Sequence, residues 1–158
     1  MIVRDARPED RPALVRFMAA LQDFERGLEP NRTPGVEMAD SHLSVLEAWA
    51  AEHPGGGVLV AETEDQPVGF ILFGVDQAIG TYVPEETRSM GFISDLWVES
   101  ASCGSGVAGA LITAAEARLR AAGLKRVELY AVAGNARAIK LYQTLGYGPY
   151  EVSLAKPL

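Results

Sequence analysis

The chain has 158 residues, enough for a single domain over residues 1–158 with a hydrophobic core and too few for two comfortable ones. The composition, 48% hydrophobic and 22% charged, is ordinary for a globular protein, and no apolar run approaches the length of a membrane span. The net charge of −7 argues against nucleic acid as a partner, and the N-terminal stretch MIVRDARPEDR lacks the apolar core of a signal peptide, so we expect a cytoplasmic protein.

The N-terminal residues predict a strand followed by a helix. Residues 2–5 form a short β-rich run, and apolar residues recur at helical spacing through the segment 14–21. Pro8 fits the first turn of such a helix, which we predict over residues 8–24.

A loop, a second helix and a hairpin are predicted next. The segment 28–40 contains two prolines and a glycine and is typical of an exposed loop, after which Ser41 can cap a helix that ends at HPGGG. The β-rich runs 58–63 and 68–75 are separated by the turn EDQP and predict an antiparallel hairpin. Residues 76–89 show no clear period and predict a surface loop.

The second half alternates strands and helices. It predicts strand 91–98, a glycine turn at 103–106, helix 107–122 ending at Gly123, strand 127–132, helix 135–145 and a last strand at 149–155. The strand, helix and strand from 91 to 132 predict one parallel unit, whereas the earlier hairpin requires antiparallel pairing. The predicted fold class is therefore α/β, with a mixed central sheet flanked by helices.

Cysteine and histidine are scarce in this chain. Cys103 is the single cysteine, which excludes an internal disulfide and a cysteine-based metal cluster. His42 and His53 have no carboxylate pattern beside them, so we expect no metal site and interpret both as incidental.

The glycine turn predicts a phosphate site. Three glycines in CGSGVAG, between a strand and a long helix, let free backbone N–H groups and the positive end of the helix dipole face one point. The letters from Gly104 to Gly109 also match the dinucleotide fingerprint GxGxxG, but the next strand, VELYAV, lacks an acidic residue at its end. Too few strands and helices follow for a dinucleotide-binding fold, so that alternative is disfavoured.

Two motifs together resemble one family. GNARAIKLYQTLGYGPY resembles the N-x-x-A-x-x-L-Y-x-x-x-G-F/Y segment of the GNAT N-acetyltransferase superfamily. CGSGVA resembles the acyl-CoA loop of that superfamily, Q/R-x-x-G-x-G/A, and FISDLWV resembles its central strand. The resemblance covers residues 2–155, since the order of the elements also agrees.

The resemblance implies acetyl-CoA as the co-substrate and no metal. It implies that the central strand diverges from the next parallel strand and that the pantetheine arm lies along Leu96, Trp97 and Val98, supported by Asn135. Trp97 could also border the acceptor pocket. The pyrophosphate would lie on the loop and the helix start, which comprise Cys103, Gly104, Ser105, Gly106, Val107, Ala108 and Gly109.

Cys103 departs from the family pattern, which has Gln or Arg at this position. A contact to CoA is therefore lost unless Arg137 or Lys140 replaces it. A helix N-terminus lowers a thiol pKa, which raises the hypothesis of a nucleophile, but no histidine nearby in sequence can serve as its base.

Acetyl transfer to an amine requires two proton movements. Because an alkylammonium has a pKa of about 10, the amine must lose a proton before it attacks the thioester, and the departing thiolate needs an acid. The resemblance assigns the acid to Tyr142. Asp95 lies in an apolar strand and is the candidate that contacts the amine, while the base is left open between Asp95, a water chain and another acid.

Two details resemble the polyamine branch of the superfamily. Its strand carries Glu-Asp where this chain has Ser94-Asp95, and LQDFERG resembles its L-x-x-Y/F-E turn, which implies that Phe24 and Glu25 lie near a cationic substrate. We therefore predict an acetyl-CoA-dependent N-acetyltransferase that acts on a small primary amine by direct attack, in a homodimer. The alternatives are a non-catalytic acyl-CoA-binding module, suggested by Cys103 and Ser94, and a peptide N-acetyltransferase.

Overall fold

The computed structural model describes all residues from Met1 to Leu158. Its regular elements, in chain order, are β1 Ile2–Asp5, α1 Arg11–Leu28, α2 Gly35–Ala51, β2 Gly57–Thr63, β3 Gln66–Gln77, β4 Ser89–Val98, α3 Val107–Ala121, β5 Val127–Leu129 and α4 Ala136–Thr144. Short 3-10 turns occur at Pro8–Asp10, Glu85–Thr87 and Ser100–Ser102. None of the helices combines the length and the apolarity that a membrane span requires.

The strands form one mixed sheet in the order β1-β2-β3-β4-β5. The first three pairings are antiparallel, and only β4 and β5 run parallel, joined by α3. The predicted hairpin is present as β2 and β3, and its two turn residues, Glu64 and Asp65, have φ of 51° and 58°. A two-residue turn with both φ values positive matches the right-handed twist of the strands it joins. The predicted mixed α/β fold is confirmed.

Helices cover both faces of the sheet. Because successive side chains of a strand point to opposite faces, neighbours in β3 enter different halves of the core. Phe70 and Leu72 pack under α1 and α2, where the ring of Phe17 stacks on Phe70 with centroids 6.1 Å apart. Ile71 and Phe73 pack under α3.

An irregularity in β4 opens the sheet. Asp95 and Ile93 pair with consecutive residues of β3, so Ser94 is an extra residue in β4, which defines a β-bulge. Pairing between β4 and β5 begins at Gly91 and ends at Ile93 opposite Leu129. Beyond the bulge β4 pairs with β3 alone, which leaves an opening between β4 and β5 on the other side.

A largely buried ionic cluster links β1 to β2 and to the 3-10 turn before α1. The guanidinium of Arg4 donates to both carboxylate oxygens of Asp10, at 2.7 and 3.0 Å, and to Glu62 on β2. Asp10 is only 4% exposed and also accepts the backbone N–H of Arg7 at 2.7 Å. Each buried charge therefore has a partner, as burial requires.

The second helix begins earlier than predicted. α2 starts at Gly35, so Ser41 lies inside it, and the prediction of a Ser41 cap is wrong. The carboxylate of Asp23 on α1 accepts the N–H of Gly35 at 2.7 Å and so caps α2 from a neighbouring helix. A Cβ at position 35 would lie 2.2 Å from the carbonyl oxygen of Ala19, so only glycine permits this approach.

Two strand predictions and one helix end are also corrected. β5 covers only Val127–Leu129 instead of 127–132, because β4 bends away at the bulge. The predicted strand 149–155 is absent, and those residues are exposed, since a β-rich run without a pairing partner gains nothing from extension. α1 continues to Leu28, so its last turns include Phe24 and Glu25, which the motif had placed in a turn.

Candidate active site

The glycine turn presents a set of free backbone donors. Gly104 and Gly106 adopt φ of 84° and 86°, which side chains disfavour, and α3 starts directly afterwards. The N–H groups of Gly104 and of Gly106 through Gly109 donate to no acceptor in the chain. Those of Cys103 and Ser105 are bonded to Ser100 and Ser102 within the turn. Unpaired donors at the positive end of a helix dipole form an anion site.

The predicted wall for the pantetheine arm borders the opening in the sheet. Leu96 and Val98 lie beyond the last β4–β5 pair and are matched with Ile71 and Gly69 of β3. Their other edge has no strand beside it and is free to bond an extended ligand. The thiol of Cys103 is exposed and lies 3.8 Å from the carbonyl oxygen of Val98, so the cysteine contacts this wall.

Asn135 caps α4. Its side-chain oxygen accepts the N–H of Ala138 at 3.1 Å, as an N-cap does. Arg137 and Lys140, the alternatives for the missing contact at Cys103, are exposed on the same helix.

Asp95 faces a cavity between α1, α2 and β4. The extra residue Ser94 shifts the alternation of β4, so Asp95 lies on the α1/α2 face although Ile93 packs under α3. Burial raises the pKa of Asp95, and the effect is partly offset by the Ser94 hydroxyl, which donates to it at 2.6 Å, and by His42. The cavity has a volume of about 320 Å³. Asp95 is therefore a carboxylate that can hold a proton more readily than an exposed one.

Glu25 lines the same cavity from the last turns of α1. Burial raises its pKa, Arg32 opposes this from 3.6 Å, and the charge of Asp95 raises it further. Two carboxylates thus share one cavity with the guanidinium of Arg32, and the charge of Asp95 acts on Glu25.

Tyr142 lies on α4 and is influenced by the charges of both carboxylates. Its ring packs on the α3 face, beside Tyr147 at a centroid distance of 6.0 Å. Burial raises the pKa of Tyr142, and the charges of Glu25 and Asp95 raise it further. The phenol of Tyr142 is therefore kept protonated, and Asp95 and Glu25 line one cavity.

Aromatic rings form one wall of this region. Phe24 is 45% exposed and its ring lies 6.2 Å from that of Trp97, which points to the α1/α2 face. The indole N–H of Trp97 is buried and has no hydrogen-bond partner. An orphan donor of this kind is uncommon in a folded protein.

The sequence interpretation missed two residues that line this cavity, a histidine and an arginine. His42, interpreted as incidental, lies in the middle of α2 and lines the cavity with Asp95, and Arg32 lines it from the loop before α2. Met38 and His42 are four residues apart, which in a helix places them on the same face, and both line the cavity. This spacing could have indicated the role of His42, but only if the helix was known to include Met38.

Comparisons with known proteins agree with this geometry. The model of the Acetyltransferase (GNAT) family matches residues 18–147. The chain belongs to this family. The matched range contains the glycine turn, the Asp95 strand and the Tyr142 helix.

Relatives of known name share the fold or part of the sequence. A mycothiol acetyltransferase from Sanguibacter keddieii is 32% identical over 126 residues, which are 77% of this chain and 37% of that protein. The chain spans less than half the length of the curated relatives it matches. Two solved structures share the fold. A GCN5-related N-acetyltransferase from Ralstonia eutropha JMP134 is 22% identical with a TM-score of 0.76, and the match covers 99% of this chain and 97% of that one. An aminoglycoside 6'-N-acetyltransferase from Acinetobacter haemolyticus is 20% identical with a TM-score of 0.72, and the match covers 100% of this chain and 99% of that one.

Proposed function

We propose that this protein is an acetyl-CoA-dependent N-acetyltransferase, built as a single GNAT-like domain, that acts on a primary amine of a small polyamine-like or amino-acid-like molecule. The observation that carries the proposal is the row of free backbone donors at the start of α3, together with the unpaired edge of β4 and the cavity that Asp95 and Glu25 share. Family membership supports the reaction class, whereas the acceptor is inferred from the charge of the cavity.

The chain offers a continuous path for CoA. The free N–H groups from Gly106 to Gly109, with that of Gly104, would hold the pyrophosphate without any side-chain charge. The free edge of Leu96 and Val98 would hold the pantetheine arm, which leads the thioester toward the opening. These residues fit a phosphorylated, extended ligand.

The carboxylates supply the proton acceptor. An ammonium is attracted into the cavity by the charges of Glu25 and Asp95 and must lose a proton to become a nucleophile. Asp95 has a raised pKa and is the favoured acceptor, directly or through a water, and Glu25 is the second choice. Tyr142 then protonates the thiolate that leaves the tetrahedral intermediate.

Aromatic and acidic groups suggest the acceptor class. The rings of Phe24 and Trp97 can pack on an alkyl chain or a cation, while Glu25 and Asp95 pair with its charge. Because the named relatives include mycothiol and aminoglycoside acetyltransferases, the acceptors of both classes belong in the same screen.

The test is release of free thiol from acetyl-CoA with a panel of acceptors. The panel contains polyamines, amino acids, aminoglycosides, the acceptor of mycothiol acetyltransferases and peptide N-termini. Transfer to a free amine with formation of an N-acetyl product supports the proposal. No transfer to any amine would count against it, and preference for peptides would favour a peptide N-acetyltransferase.

A non-catalytic acyl-CoA-binding module is the second candidate. Cys103 and Ser94 motivate it, since both occupy positions where the resemblance implies other residues. Tight acetyl-CoA binding by calorimetry with no turnover on any acceptor would favour this function over the enzyme.

We also propose a cytoplasmic homodimer. β5 has a strand on only one side, and the C-terminal residues form no strand, so a second copy could complete this edge. Light scattering at micromolar concentration should give the dimer mass, and a monomer mass would contradict it.

A further inference from the structure

The orientation of Tyr142 has no hydrogen bond to maintain it. Among the tyrosines, only Tyr147 has a hydroxyl that hydrogen-bonds within the chain. Tyr142 is half-buried and can rotate its hydroxyl only as far as its ring contacts allow. A group that must meet a leaving sulfur needs its position fixed by something else, because small displacements are costly in catalysis.

Tyr147 is the aromatic residue that contacts Tyr142. The chain turns back at Gly146, whose φ is 93°, and the N–H of Tyr147 donates to the carbonyl of Tyr142 at 3.0 Å. The two rings are tilted by 59° with centroids 6.0 Å apart. The backbone bond and the ring contact fix Tyr147 and Tyr142 relative to each other.

Tyr147 is in turn anchored to another helix. Its hydroxyl donates to Glu116 on α3 at 2.7 Å. Burial raises the pKa of Tyr147, and the bond to Glu116 raises it further, so the phenol stays a donor at neutral pH. The start of α3 forms the anion site. The hydrogen bond from Tyr147 to Glu116 therefore fixes the end of α4 relative to the helix that carries this site.

We propose that Tyr147, held by Glu116, is the positioning residue for Tyr142. This inference rests on the proposed function. Tyr147 is fixed at its backbone and at its hydroxyl, so its ring offers a constant surface against which Tyr142 packs. The ring of Tyr142, and with it the hydroxyl, is thereby held in one orientation relative to α3.

Kinetics of matched variants test the inference. Tyr147→Phe keeps the ring and loses the anchor, and we expect kcat to fall about tenfold while KM for acetyl-CoA changes less than about twofold. Glu116→Ala should behave in the same way, and Glu116→Gln should retain activity because its amide oxygen still accepts the bond. Tyr150→Phe is the control, since Tyr150 is exposed and contacts Arg126 instead.

A double-mutant cycle separates positioning from general destabilisation. In a Tyr142→Phe background the further change Tyr147→Phe should have no effect on kcat, because the group being positioned is gone. If the two losses multiply, Tyr147 acts independently of Tyr142 and the inference is overturned.

NMR spectroscopy tests the effect of Tyr147 on Tyr142 without measuring turnover. The chain has 5 tyrosines, so ring-labelled ¹³C-tyrosine gives few signals, and Tyr142→Phe assigns the one of interest. Tyr147→Phe should shift or broaden the Tyr142 signal, and Tyr150→Phe should leave it unchanged. An unchanged Tyr142 signal in Tyr147→Phe would overturn the inference, whereas a wild-type protein that transfers no acetyl group would overturn only the proposed function.

Discussion

Replacing Tyr142 with Phe removes the proposed acid with little effect on the fold. The hydroxyl forms no hydrogen bond within the chain, so we expect the free energy of unfolding to change by no more than about 0.5 kcal/mol. A positioned general acid contributes about 100- to 10,000-fold to a rate. We expect kcat to fall about 100- to 1,000-fold, which corresponds to about 3–4 kcal/mol in the activation barrier.

The pH dependence of kcat provides a second test of this prediction. Because the pKa of Tyr142 lies above its usual value of about 10, the phenol stays protonated and the wild-type rate should not fall through its ionisation up to pH ~9. The thioester sulfur carries no proton of its own at any pH, so the ratio of wild-type kcat to Tyr142→Phe kcat should stay about constant as long as Tyr142 is protonated.

The assay is thiol release at saturating acetyl-CoA from pH 6 to 9.5, with Tyr82→Phe as the control. Tyr82 is 78% exposed and lies in the segment between β3 and β4. A kcat of Tyr142→Phe within about threefold of wild type at pH 7 would refute the acid role. A loss that disappears between pH 7 and pH 9 would show that the acid ionises in that range and would refute its assignment to Tyr142.

Three further changes test the acceptor cavity, the ionic cluster and the glycine turn. Asp95→Asn should lower kcat/KM for the amine at least about tenfold, and it should remove the loss of wild-type activity that occurs as pH falls through the raised pKa of Asp95; a retained acid limb would point to Glu25. Asp10→Ala should cost about 3 kcal/mol in urea unfolding, because it leaves Arg4 buried with one partner fewer. The pKa of Asp10 is lowered chiefly by its bond to Arg4, so its contribution to the free energy of unfolding is present above pH ~4 and is lost as pH falls further. A melting temperature that responds neither to Asp10→Ala nor to a fall in pH below ~4 would contradict this. Gly106→Ala meets no atom within 4 Å but requires φ of 86°, so we expect a cost of about 1–2 kcal/mol and a raised KM for acetyl-CoA, whereas Gly109→Ala, inside α3 with equal space, should be neutral or stabilising.

Local patterns were sufficient for much of the fold and for the list of candidate residues. The hairpin, α3 and the glycine turn follow from alternation, helical spacing and glycine placement within about 20 residues, which is the range over which such signals act. The two motifs indicate the family and are sufficient to propose Tyr142, Asp95 and the CoA loop as candidate site residues. These properties depend on residue type and spacing, and the sequence displays both.

Contacts between distant segments determine the features that local patterns did not predict. The start of α2 depends on Asp23 of another helix, and the orientation of Asp95 depends on how Ser94 is accommodated opposite β3. His42 enters the cavity only because α1 and α2 pack over β4, and Tyr147 meets Glu116 across 31 residues of sequence. A single sequence does not specify which donor finds which acceptor across such distances, because that choice is made by the packing of the whole chain. The residue types of the candidate site were therefore determined by sequence, and the cavity that Asp95, Glu25 and His42 share was determined by the tertiary structure.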